Sequence, residues 1–261
     1  MAAKTLSFKC ALITGGGGGI GFEMSKYLIS LNKKVIIVGR TEKTLAQAAQ
    51  DLGHDTKYYV LDTGNVSAIP TFCQKVIEER PEVDCLINNA GVQRPLDVND
   101  FDLQKADQEI DINIRGPMHL TMGFLEHFKS KEAATIVNVS SVLGYIPFSI
   151  INPVYNGTKA WLHFWTMNLR TQLAKDGRGK GIKVVEIAPP TVATNLHRER
   201  EDPDDNKKSK NPESLEVGEF MEYVRRGFEE GKETIGAGSS VEVVDKWYEA
   251  FGGQYEKAAS K

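Results

Sequence analysis

Cysteine is scarce in this chain: there are three, Cys10, Cys73 and Cys85, and no CxxC pair. Three thiols cannot all pair with one another, so no disulfide framework is expected and a reducing compartment fits. Long apolar runs are missing as well. No stretch reaches the ~18 uninterrupted apolar residues that a spanning helix needs, so no membrane partner is expected. Neither sign of charge dominates, and a net charge of -3 makes no electrostatic case for nucleic acid. The start, Met1 to Cys10, has two lysines and no long apolar run, so no signal peptide is expected. Ala2 and the ending Ala259-Ser260-Lys261 do not read as a myristoylation site or a peroxisomal address. The expected location is cytoplasmic. The five histidines (His54, His119, His127, His163, His197) are scattered without metal-ligand spacing, so no metal site is expected. No GxSxG elbow surrounds Ser141, which argues against a hydrolase.

What is present is ordinary globular composition, with 41% hydrophobic and 26% charged residues in 261. At roughly 150 residues per domain that length allows one or two domains. Short apolar runs at Lys9 to Thr14, Lys34 to Val38, Tyr58 to Leu61, Cys85 to Ile87, Thr135 to Val139 and Lys183 to Ile187 read as strands buried on both faces. Between them, Phe22 to Leu31, Glu42 to Leu52 and Ile69 to Glu79 have helical periodicity. Strands alternating with helices predict an α/β fold: one doubly wound parallel sheet with helices on both faces, as a single domain over residues 1–261. No repeat or Ser/Gly linker divides it. A stretch at about 195–215 breaks the pattern with five basic and five acidic residues between His197 and Pro212. It reads as a solvated surface insertion or, because it follows a strand end, as a lid over a substrate site.

Glycine is concentrated in one place. Thr14-Gly15-Gly16-Gly17-Gly18-Gly19-Ile20-Gly21 follows the first strand and opens the first helix. Without side chains there, backbone amides can approach a pyrophosphate, and the helix N-terminus adds favourable partial charge. Two registers fit, GxGxxG on Gly16, Gly18 and Gly21, and GxxxGxG on Gly15, Gly19 and Gly21. Either predicts dinucleotide binding. The second strand ends in Gly39-Arg40, with no carboxylate for a ribose 2′-OH. Arg40 can instead pair with a 2′-phosphate, which favours NADP (NADPH) over NAD. Lys43 is a supplementary cation.

With these residues in view, the sequence resembles the short-chain dehydrogenase/reductase family, compact branch, over roughly Lys9 to Thr194. Gly15, Gly19 and Gly21 match its glycine turn. Asp62 matches an acidic residue that binds adenine, and Asn88-Asn89-Ala90-Gly91 matches its NNAG motif. Asn113, Ser141, Tyr155 and Lys159 match its catalytic tetrad. The resemblance implies a Rossmann-type fold and a cofactor site including Ile20, Asn89, Ala90, Gly91, Tyr155, Lys159, Pro189, Val192 and Thr194. The stretches Leu86 to Leu96 and Pro189 to Val192 look like those of bacterial oxidoreductases encoded with D-alanylation genes, and of their fungal relatives.

Two departures from the family pattern stand out. Tyr155 follows Ser141 by 14 residues, one more than is common, and Ser140 is an alternative serine. Pro189-Pro190 stands where the family usually has Pro-Gly. Proline cannot reach positive φ, so the loop there must differ.

Tyr155 and Lys159 are spaced i, i+4 and share one helix face. A free tyrosine titrates near ~10, and a neighbouring ammonium favours its phenolate. Tyr155 is then the expected acid/base. By resemblance, Ser141 bonds the substrate oxygen, Lys159 also holds the nicotinamide ribose, and Asn113 holds a water leading to Lys159. Tyr145, Phe148 and Ile150 are pocket candidates, whereas Trp161, Phe164 and Trp165 read as core or interface. The resemblance implies a carbonyl reductase, reversible as an alcohol dehydrogenase, acting on a small-molecule ketone, aldehyde or secondary alcohol. It also implies a homodimer or homotetramer built on Phe101 to Lys129 and Tyr155 to Lys175. The competing reading is a non-catalytic NADP-binding sensor or scaffold protein.

Overall fold

Cys10–Thr14 (β1) is five consecutive buried residues, and a strand with no exposed position must be covered on both faces. Lys34–Gly39 (β2), Cys85–Asn88 (β4), Ala134–Val139 (β5) and Ile182–Ala188 (β6) are almost as fully enclosed. In the computed structural model they join Lys57–Val60 (β3) and Thr234–Gly236 (β7) in one seven-stranded sheet, ordered β3-β2-β1-β4-β5-β6-β7. Every pairing is parallel. The structure describes residues 4–260, so the expectations that rest on Met1, Ala2 and Lys261 lie outside the described residues.

Parallel neighbours require crossovers, which the helices supply. These are Gly19–Ser30 (α1), Glu42–Leu52 (α2), Ile69–Glu79 (α3), Leu103–Ile110 (α4), Gly116–Lys129 (α5), Pro153–Lys175 (α6), Val217–Glu229 (α7) and Ser240–Ala259 (α8). Successive strand residues point to opposite faces and build two cores. Ile13, Ile37, Ile87, Val137 and Val185 pack with Met24 and Leu28 of α1 and with Phe220 and Phe228 of α7. Leu12, Ile36, Leu86, Ile136 and Val184 pack with Val76 of α3, Phe124 and Phe128 of α5, and Leu169 of α6. The expected doubly wound α/β fold is the observed one.

Strand order reverses between β1 and β4. The chain winds from β1 out to β3, then restarts at β4 and winds the other way. Crossovers diverge there, and a crevice opens beyond the carboxyl ends of the strands.

Three local differences from the sequence reading matter. The helix expected over Phe101 to Lys129 is α4 and α5 joined by a π-helical stretch, Asp111–Arg115, which holds Asn113. The helix of Tyr155 starts earlier, with Pro153 in its first turn, where a missing N–H costs nothing. A seventh strand, β7, not expected from the sequence, is followed by α8. Three residues are too few for β7 to show a pattern in sequence. All three cysteines are buried and unpaired, and burial pushes the Cys10 and Cys73 thiols up to about 12. Among the described residues, no helix is long and apolar enough to cross a membrane.

Candidate active site

The crevice holds a cavity of about 790 Å³. Its floor is the glycine turn, and the structure selects one of the two registers. Gly15 sits at φ +67°, a conformation that disfavours side chains. A Cβ on Gly21 would lie 2.4 Å from the Gly15 carbonyl oxygen and 2.6 Å from the Asn89 amide nitrogen. Gly18, by contrast, has open space beside it and extended backbone. GxxxGxG is therefore the register this backbone needs.

The NNAG segment locks this turn to the sheet. Thr14 Oγ1 accepts from the backbone N–H groups of Asn89 and Ala90, both at 3.0 Å. Asn89 donates its side-chain amide to the Thr14 carbonyl at 2.9 Å. Asn88 points the other way and donates to Asn138 of β5 at 2.9 Å. Gly91 then leaves room for Lys159, whose Nζ would lie 3.7 Å from a Cβ there.

Tyr155 and Lys159 lie on the cavity wall, 5% and 4% exposed. Lys159 donates to the Val139 carbonyl at 2.8 Å, at the end of β5, and its Nζ is 5.4 Å from the centre of the Tyr155 ring. Burial pushes the Tyr155 phenol well above its ordinary range, and the charge of Glu109 adds to this. The Ser141 hydroxyl and the Arg200 charge pull the other way without prevailing. The lowering expected from Lys159 is not found: burial dominates, and the phenol is pushed up rather than down. Burial lowers Lys159 to about 8, against the opposing charges of Glu109 and Glu186.

The two serines separate cleanly. Both line the cavity, but Ser140 is engaged, donating to Glu186 Oε1 at 2.5 Å. Ser141 accepts from the Leu143 N–H at 3.2 Å, and its hydroxyl acts on Tyr155. Asn113 does not sit on the cavity wall. Its Oδ1 accepts from Val92 N–H at 3.0 Å, while its Nδ2 donates to Val92 O at 2.9 Å and Thr158 Oγ1 at 3.2 Å. That side chain fixes the segment after the NNAG motif to α6.

Of the other expected site residues, Gly15, Gly19, Ile20, Asn89, Ala90, Gly91, Pro189, Val192 and Thr194 line the cavity. Gly21 lies under the turn. Arg40 and Asp62 are exposed at the ends of β2 and β3, and neither lines the cavity. Asp62 accepts from Gly64 N–H at 2.9 Å. No residue of the Pro189–Thr194 loop has positive φ, as the second proline requires. Phe148 lines the cavity, but Ile150 is 83% exposed and Tyr145 packs on His163 instead, with ring centres 4.1 Å apart. Trp165 packs against the core, Trp161 stacks on it, and Phe164 is half-exposed.

Sequence reasoning missed the polar groups behind and above the cavity. The charged stretch is folded down, not merely solvated: His197 and Asn206 are buried, and His197, Arg198, Arg200 and Asp205 line the cavity. Arg200 donates to Asp205 at 2.6 Å, Asn152 at 2.8 Å and Gln93 at 2.9 Å, joining three loops. Asn206 and Lys207 donate to the Thr194 carbonyl. The zero net charge of this stretch carried no hint of these partners.

The cradle free of side chains at Gly15–Gly21, the helix N-terminus facing the cavity, and the buried Tyr155, Lys159 and Ser141 fit a dinucleotide-dependent oxidoreductase. Comparison with known proteins agrees. The short chain dehydrogenase family model matches residues 9–205, and the chain belongs to that family. It is 36% identical over 228 residues to the uncharacterized oxidoreductase DltE of Bacillus subtilis (strain 168), covering 86% of each chain. That is the D-alanylation-associated type its motifs resemble. A short-chain dehydrogenase from Sphingobium yanoikuyae in complex with NADPH shares the fold, with a TM-score of 0.81 at 22% identity over 97% of this chain and 96% of the other. The closed form of a serine dehydrogenase complexed with NADP+ has a TM-score of 0.73 at 26% identity, over 83% and 88%.

Proposed function

We propose that this oxidoreductase is an NADPH-dependent carbonyl reductase, reversible as an alcohol dehydrogenase, acting on a ketone, aldehyde or secondary alcohol. The observation that carries the reading is a buried Tyr155 beside Ser141 on the wall of the dinucleotide crevice. When bound, the nicotinamide supplies or accepts the hydride. Gly15, Gly19, Gly21 and the first turn of α1 hold its pyrophosphate. Ser141 orients the substrate oxygen and stabilises charge developing on it. Tyr155 gives its hydroxyl proton to that oxygen in reduction and takes it back in oxidation. Lys159, tied to Val139, supports the phenolate left behind and holds the cofactor ribose. Asn113 keeps Gly91 and Val92 against α6.

Arg40 at the end of β2 supports NADPH over NADH, because no carboxylate stands there to repel a 2′-phosphate. The stretch 195–215 is read as a lid, on the strength of its cavity-lining residues and its Arg200 contacts. Exposed Met122 on α5 and Phe164 on α6 support a homodimer or homotetramer through those helices, which light scattering tests.

The deciding experiment follows nicotinamide absorbance with NADPH and with NADH against ketones, aldehydes, diketones and quinones. Oxidation of NADPH, with NADH much slower, is the expected result. Tight NADPH binding with no turnover of any carbonyl would replace this reading with the non-catalytic sensor.

A further inference from the structure

The folded-down charged stretch brings to the cavity a histidine that the mechanism above does not use. His197 is only 8% exposed, yet it lines the same cavity as Tyr155 and Ser141. Its Nδ1 is bonded to the Asp205 carboxylate. Among the described residues Nε2 has no hydrogen-bond partner, and unlike the Nε2 of His163 it is not sealed off from solvent. Polar groups this deep normally have partners, so an open nitrogen on a cavity wall points to a ligand atom.

Hydrogen bonds tie this ring to the helix of Tyr155 at every link. Asp205 holds His197 through Oδ1 and accepts from Arg200 through Oδ2, the latter at 2.6 Å. Arg200 donates to Asn152 at 2.8 Å, and Asn152 is the N-cap of α6, three residues before Tyr155. Arg200 also donates to Gln93, in the loop after β4, at 2.9 Å. The imidazole is therefore clamped on one nitrogen and presents the other.

Because Asp205 accepts, Nδ1 carries the ring proton and Nε2 is left as an acceptor. Burial lowers the imidazole below its ordinary value, and the charges of Arg200 and Lys207 add to this while Asp205 opposes it. The ring is thus neutral near neutral pH. An acceptor on the wall selects a donor on the substrate, and the charged residues around the cavity select which donor. Lys159, Arg198 and Arg200 are cations, and the one carboxylate, Asp205, is already paired. A substrate ammonium would be repelled. A substrate carboxylate would meet the Nε2 lone pair, with Arg200 already engaged by Asp205, Asn152 and Gln93. A neutral hydroxyl meets neither objection.

We propose that His197 is a specificity-determining residue whose Nε2 accepts from a hydroxyl on the substrate, so that the preferred carbonyl compounds are hydroxyketones or hydroxyaldehydes. This rests on the reductase reading above. The hydroxyl serves recognition only, and no bond to it changes in the reaction.

The test uses the full-length protein with NADPH and ketones that differ by hydroxyls: hydroxyacetone and dihydroxyacetone against acetone, and phenacyl alcohol against acetophenone. Wild type is expected to favour the hydroxylated member by roughly 3–10-fold in kcat/KM, the scale of one hydrogen bond. A neighbouring hydroxyl also alters a carbonyl's own reactivity, so the deciding quantity is the change in that ratio. His197→Leu should erase the preference, and His197→Gln, whose amide oxygen can accept, should keep part of it. A histidine that only props the charged stretch would slow both members alike and leave the ratio intact, which overturns the proposal. So does a preference for pyruvate over hydroxyacetone, which would mark an anion site instead. Histidine nitrogen NMR of the NADP+-loaded wild type needs neither turnover nor a variant that folds. The Nε2 signal of His197 should shift with dihydroxyacetone and hold still with acetone, and a signal that ignores both overturns the site. A wild type without turnover but with a shifting signal would remove the reductase reading alone and leave the recognition standing.

Discussion

His163 on α6 donates from Nδ1 to Oε2 of Glu186 on β6 at 2.9 Å, with both side chains fully enclosed. Glu186 Oε1 accepts from Ser140, the residue before Ser141, so one buried carboxylate joins the helix of Tyr155 to the strand end that carries Ser141. Breaking a buried pair by removing one partner leaves the others desolvated and unpaired. Glu186→Ala is expected to cost about 3–5 kcal/mol, read as a lower urea midpoint. Glu186→Gln, which keeps the shape, should cost about 1–3 kcal/mol.

Tyr155→Phe removes only the hydroxyl to which the proposed reaction assigns the proton transfer. Turnover should fall by roughly 10²–10⁴-fold or more, the weight of a positioned general acid. NADPH binding, followed by fluorescence, should stay near that of wild type. Full activity in this variant would remove Tyr155 from its role.

Arg40→Ser withdraws the cation set at the end of β2. A hydrogen bond to a charged group contributes about 1.5–3 kcal/mol, so NADPH affinity should fall by roughly 10–100-fold while NADH is little affected. Equal losses for both cofactors in calorimetric titration would show that Arg40 does not select the phosphate.

Arg200→Met cuts the links from the charged stretch to Gln93 and Asn152. The expected result is faster proteolytic cleavage within residues 195–211 and a raised KM, with kcat less affected. Bound NADPH with substrate should slow cleavage in wild type more than in the variant.

Stability should depend on pH through Glu109, whose folded-state pKa is raised from 4.5 to about 7. The folded state binds this proton more tightly than the unfolded chain does. The resulting stabilisation is complete below 4.5 and is lost as pH rises through about 7. Urea denaturation across that window should show a decline in wild type that is flatter in Glu109→Gln.

Local patterns in the chain carried most of the fold. Continuous apolar runs can only be strands covered on both faces, and helices between them force parallel crossovers, so β1 to β6 and their layering were legible. Gly15, Gly19 and Gly21, the NNAG segment and the Tyr155–Lys159 spacing were legible for the same reason, since each is a short motif with a local geometric need. The choice between two glycine registers was not, because it depends on Gly15 and Gly19 holding positive φ while Gly18 has open space beside it. Nor was the choice between Ser140 and Ser141, which Glu186 on a neighbouring strand makes. Glu109, Glu186, His163 and Arg200 carry no motif, and each reads alone as an ordinary helix, strand or surface residue. By itself the sequence determined the class of fold and the dinucleotide turn and singled out Tyr155 as a candidate, because periodicity and short-range spacing are written along the chain. Only the tertiary structure decided which buried charges face that tyrosine and how the charged stretch folds over it, because desolvation and long-range pairing depend on what packs around a group, not on what precedes it.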